Sequence, residues 1–128
     1  MSGPEFLFDT NLVIGLLKGR AEARAMITRN GAAPATTFVS QITRMELLGF
    51  PGITASEEDG INGFLASARV LLLDERIETA TIALRRSTKL KLPDAIILAT
   101  AQVQSLQLLT FDDALREVAA ALGIAAKP

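Results

Sequence analysis

FLFDTNLVIGLLKG, Phe6 to Gly19, decides how the rest of the chain is read. Phe6 to Phe8 make a short apolar strand, Asp9, Thr10 and Asn11 form a polar junction, and Leu12 to Leu17 is an apolar helix that Gly19 ends. A strand that feeds directly into a helix is half of a parallel β-α-β unit, and the pattern repeats downstream. Thr36 to Val39 reads as a strand, with Ser40 placed to cap a helix through Leu48. Val70 to Leu73 leads past Asp74 into a helix that runs to about Lys89, and Leu108 and Leu109 lead into a last helix with Leu115, Val118, Ala119 and Leu122 at helical spacing. Helices over Arg20 to Arg29, Ser56 to Ala68 and Asp94 to Gln104 fill the intervals. The expectation is an α/β fold: one domain over residues 5–126 with a mostly parallel central sheet covered by helices. Residues 1–4 read as an unstructured start or a cloning remnant.

Composition narrows the chemistry. The chain has 128 residues, 13 Lys plus Arg against 14 Asp plus Glu, and 49% hydrophobic residues, enough for a true core. It has no His, Cys, Tyr or Trp. A thiol nucleophile, a His general base, a Ser-His-Asp triad and the usual Cys/His zinc site are therefore excluded. Catalysis would have to use carboxylates, hydroxyls, Lys, Arg or a bound metal, and oxygen-only ligands favour Mg²⁺ or Mn²⁺. No leader stands out. The longest uncharged stretch, Ala95 to Phe111, is broken by polar residues, so a cytoplasmic protein with no membrane span is expected.

Ligands of parallel sheets bind beyond the carboxyl ends of the strands, which directs attention to Asp9 and Asp112. Each also has an ordinary role as a helix cap, and Asp94, beside Pro93, suits the positive end of a helix. Glu46 falls about 40° from Ile42 and about 60° from Gly49 on a helical wheel, which predicts an inward-facing carboxylate. Such a group must be paired, with an Arg as the competing partner, or protonated, or bound to a metal. Asp94, on one helix face with Ile97, Leu98 and Ala101, is expected to point inward too. Four acids on one sheet edge would form a negative pocket that a hard divalent ion could occupy. That ion could activate water for phosphodiester hydrolysis without a His.

The motifs FLFDTNLVIGLLKG, SQITRMELLGFPGIT, LKLPDAIILATA and LLTFDDAL together resemble the successive acidic motifs of PIN-domain ribonucleases, VapC-type toxins of toxin–antitoxin pairs in particular. The resemblance runs from about Phe6 to Leu122. It implies that Asp9, Glu46, Asp94 and Asp112 are catalytic, metal-binding carboxylates for Mg²⁺ or Mn²⁺. Thr10, Asn11, Ser40 and Thr110 match the polar positions that hydrogen-bond around such a site. Asp113 is a weaker match than Asp112. The resemblance also implies an endoribonuclease acting on RNA, held inactive by a cognate antitoxin protein and forming a homodimer.

RNA contact would come from local basic clusters, because the net charge is only -1. Lys18, Arg20, Arg24 and Arg29 form one, and Arg85, Arg86, Lys89 and Lys91 the other; both also suit a solvated helix face. Phe50, beside Pro51, is the aromatic best placed to be exposed for base stacking, although burial is the usual fate of a Phe. The helices Leu12 to Leu17 and Arg20 to Arg29 could form a groove for an antitoxin segment or simply be core. Two other classes compete. A phosphoacceptor receiver domain has a similar length but needs paired acids after its first strand, where this chain has Phe8, Asp9 and Thr10. A catalytically inactive nuclease-like module that binds RNA or a regulator remains open.

Overall fold

The computed structural model describes residues 3–128. Met1 and Ser2 lie outside the described residues, while Gly3 and Pro4 are exposed and carry no regular structure. The elements are β1 (Phe6–Phe8), α1 (Thr10–Leu17), α2 (Ala21–Asn30), β2 (Thr37–Ser40), α3 (Gln41–Leu48), α4 (Ala55–Ser67), β3 (Arg69–Leu71), α5 (Glu75–Ser87), α6 (Leu92–Val103), β4 (Gln107–Leu109) and α7 (Asp113–Ala121). The four strands are ordered β3-β2-β1-β4 and every neighbouring pair is parallel, as the alternation of strands and helices predicts.

Strand alternation divides the core in two. Phe6 and Phe8 of β1, Val39 of β2 and Leu109 of β4 pack on one face with Leu12, Val13 and Leu47. Leu7, Phe38 and Leu108 point to the other, against Ile77, Ile97, Leu98 and Leu115. The sheet is thus buried on both faces, and its ends are where polar groups can gather. On the first face α1 and α2 approach closely at Gly15, where an added Cβ would stand 3.3 Å from that of Ala23.

Boundaries shift by one or two residues from the sequence reading, chiefly in β3. It ends at Leu71, leaving Leu72 and Leu73 exposed, and the Leu73 N–H donates to the Gln41 side chain at 2.8 Å. Beyond α7 the chain returns to the sheet. The Leu108 N–H donates to Ile124 O at 2.7 Å and the Ala126 N–H to Leu108 O at 2.9 Å, forming a parallel bridge along the free edge of β4.

Candidate active site

The register of the two central strand pairs sets the site. Leu7 is paired with Phe38 and Phe8 with Leu109, so the next positions, Asp9, Ser40 and Thr110, lie side by side at the carboxyl ends of β1, β2 and β4. The Asp9 N–H continues the ladder by donating to Leu109 O at 3.0 Å. Asp9 is buried, 4% exposed. Its Oδ1 accepts the Thr10 N–H at 2.8 Å, and its Oδ2 accepts the Thr110 hydroxyl at 2.7 Å. Thr110 Oγ1 accepts the Asp112 N–H in turn, at 3.0 Å.

Burial pushes the Asp9 pKa up, and the neighbouring charges of Asp94 and Asp112 push it further, against the lowering effect of the Thr110 and Thr10 bonds. Asp94, half-buried in the first turn of α6, is raised by burial, then by Asp112 and Glu46, while Lys91 lowers it. The four acids are therefore electrostatic neighbours. Among the described residues, no three of them come close enough together to hold one ion between them.

The ordinary roles are present as well. Asp9 stands at the N-cap of α1, and Asp112 caps α7 by accepting the Leu115 N–H at 3.0 Å. Asp94 lies in the first turn of α6, whose N-cap residue Lys91 supplies no side-chain bond. It occupies the open end of a face whose next members, Ile97, Leu98 and Ala101, are fully buried.

Glu46 departs from the expectation of an inward-facing carboxylate, because it is exposed. The buried stripe of α3 is Thr43 and Leu47; Ile42 is only half-buried, and Gly49 lies past the last helical turn, so neither marks the inner face. No Arg neutralises it: the one salt bridge among the described residues joins Arg116 to Asp113 at 2.8 Å. That bridge, with the Asp113 side chain 92% exposed, turns Asp113 away from the site. The Glu46 Oε1 accepts the Thr10 hydroxyl at 2.7 Å, and Thr10 also meets the buried Thr43 hydroxyl at 2.9 Å. Sequence reasoning missed Thr43, although its place one turn before Glu46 on the same helix was a signal.

Of the other polar positions, Ser40 is fully buried and accepts the Ile42 N–H at 3.2 Å, capping α3, whereas Asn11 is exposed on α1. The basic clusters are divided. Lys91 stands beside Asp94, and Lys18 shares with Glu46, Leu17 and Phe50 the wall of a 310 Å³ cleft between α1, α3 and α4. Arg29 is tied to Pro128 O and Arg85 to Leu90 O, while Arg20, Arg24, Arg86 and Lys89 are exposed. Phe50 is 65% exposed, contrary to the usual burial of a Phe, because it follows the end of α3 in the turn before Pro51. A larger trough of 760 Å³ runs past Arg76, Leu84 and Val103 and contains none of the four acids.

Comparison with known proteins places this fold. A search of curated proteins returned no match. Among solved structures, a chain of a toxin–antitoxin complex from Klebsiella pneumoniae is 38% identical over 84% of this chain and 87% of its own, with a TM-score of 0.73. A chain of DNA-bound VapBC from Salmonella typhimurium is 25% identical over 98% of both chains, with a TM-score of 0.72. FitAcB from Neisseria gonorrhoeae, at 22% identity over 94% of both chains and a TM-score of 0.73, shares the fold. The family model for the PIN domain matches residues 6–121, from the first strand to the end of α7, and the chain belongs to the PIN-domain family.

Proposed function

We propose that the protein is a divalent-metal-dependent endoribonuclease acting in the cytoplasm as the toxin of a toxin–antitoxin pair. The observation that carries this reading is the state of Asp9: a buried carboxylate at the carboxyl end of a central strand, its ionisation opposed by burial and by the charges of Asp94 and Asp112. Four carboxylates with no His or Cys make a donor set suited to Mg²⁺ or Mn²⁺. Asp9, Asp94, Asp112 and Glu46 are the residues that would hold the ion. When bound, it supplies a Lewis acid for the phosphoryl oxygens and a water of lowered pKa.

The chain's own groups prepare the site. Thr10 and Thr110 each occupy one oxygen of Asp9, leaving each with lone-pair capacity. The positive end of α6 favours the ionised form of Asp94. Lys18, which shares a cleft wall with Glu46, and Lys91, beside Asp94, are the cations available to receive substrate phosphates. The toxin–antitoxin relative from Klebsiella pneumoniae supports a protein inhibitor as partner; a homodimer is part of the same proposal.

The second reading, an inactive module that binds RNA or a regulator, has one observation in its favour: the acids stand too far apart for three of them to enclose an ion. Cleavage of RNA in Mg²⁺, abolished by EDTA and by Asp94→Asn with RNA binding retained, is the expected result. Metal-free protein that cleaves equally well in EDTA would overturn the metal mechanism, and RNA bound but never cut would establish the second reading.

A further inference from the structure

We propose that Thr43 is a positioning residue that turns Glu46 toward the acidic site through Thr10; the inference rests on reading that site as a metal centre. Glu46 is exposed and has no cation within ion-pairing distance among the described residues, so packing and charge leave its side chain free to rotate. Among the described residues its side chain has one hydrogen-bond partner, the Thr10 hydroxyl, at 2.7 Å. Thr10 is itself buried at the start of α1, next to Asp9, and an oxygen anchored there holds the exposed glutamate against the start of that helix.

The direction of the relay follows from counting protons. A hydroxyl has one proton, and an ionised carboxylate only accepts, so the Thr10 proton goes to Glu46. The 2.9 Å contact between the two threonines must then have Thr43 as donor. A donor that is itself polarised strengthens the next bond, so Thr43 reinforces the grip of Thr10 on Glu46.

Thr43 also differs from the buried threonines of α5 and α6. Thr81 donates to Ile77 O and Thr100 to Ile96 O, both at 2.7 Å, each satisfying its hydroxyl four residues back on its own helix. For Thr43, third in α3, the residue four back is Val39 in β2, so that bond is not offered. Its fully buried hydroxyl is spent on Thr10 instead.

The test is Mn²⁺ binding by the RNA-free protein, followed by electron paramagnetic resonance up to millimolar ion. Thr43→Val should weaken binding about 10-fold, and Thr43→Ser should stay within about twofold of the parent. Thr43→Ala, which adds no bulk, should match Val and serves if Val does not fold. In a Glu46→Gln background the loss of the Thr43 hydroxyl should have no further effect. Parental affinity in Thr43→Val and Thr43→Ala, or the same 10-fold loss without Glu46, overturns the relay alone. A parent protein that binds no Mn²⁺ overturns the metal centre itself, and the relay's role with it.

Discussion

Asp9 and Glu46 belong to one acidic neighbourhood and are held in opposite ways. Asp9 is almost wholly buried, with one oxygen bonded to Thr110 just past β4 and the other to the Thr10 N–H at the start of α1, so the sheet register and the helix start fix where it points. Glu46 is exposed on a two-turn helix and is held by the Thr10 hydroxyl. A buried carboxylate is costly in itself and cheap to keep still; an exposed one is the reverse. The first corner should therefore govern stability and pH response, and the second should govern activity alone.

Asp9→Asn is the strongest test of that division. Cleavage should fall by more than about 100-fold while RNA binding persists. The metal-free variant should also be the more stable protein at neutral pH, because burial and two like charges oppose Asp9 ionisation. The pH dependence has a definite sign. With its folded pKa raised above 3.8, Asp9 contributes stability that is full below that value and lost as the pH rises through the folded pKa. Urea unfolding in EDTA across pH 4 to 8 should show the advantage of the variant growing as pH rises; a constant difference would detach it from ionisation.

Thr110→Val should come next, costing about 1–3 kcal/mol, since it takes a donor from Asp9 and strands the Asp112 N–H. It should also shift the acid limb of the pH–rate profile upward, and Thr110→Ser should restore both. Glu46→Gln sharpens the contrast from the other side. Metal-free stability should change by less than about 0.5 kcal/mol, as for an exposed residue, while cleavage collapses. A loss of several kcal/mol would instead reveal a structural role. The smallest effect is expected at Lys18, on the open side with Glu46. Lys18→Ala should lower the slope of log affinity for RNA against log salt by about one. An unchanged slope would mean that RNA does not approach from that side.

What the sequence disclosed was governed by distance along the chain. Asp9 and Asp112 were legible because Asp9 directly follows β1 and Asp112 comes shortly after β4, and strand ends of a parallel sheet must lie together. Glu46 and Asp94 were singled out by their helical-wheel positions, which carry no such guarantee, and the four-motif resemblance then joined them to the same site. The inward placement of Glu46 failed because a helix of eight residues has only two or three positions to define its buried face, and Gly49 was one turn too late to count. Thr43 was illegible because its partner is 33 residues away and its role depends on where a hydroxyl points. Phe50 was misjudged by composition, since residue type says nothing about a turn that leaves no core to enter.

The tail that runs along β4 has a consequence outside the site. An open sheet has two edges with unpaired backbone groups, each able to recruit a strand from another molecule. Here they are guarded differently: β3 is only three residues long and begins with the exposed Arg69, whereas β4 is covered by the bridge through Ala125. Asn30 of α2 fastens that cover, its side chain bonded to both the N–H and the carbonyl of Lys127 at 3.0 Å. A chain cut after Gly123 would keep all four acids, yet Leu108 would lose its outer partners, and edge-to-edge aggregation would become the dominant risk to the purified protein.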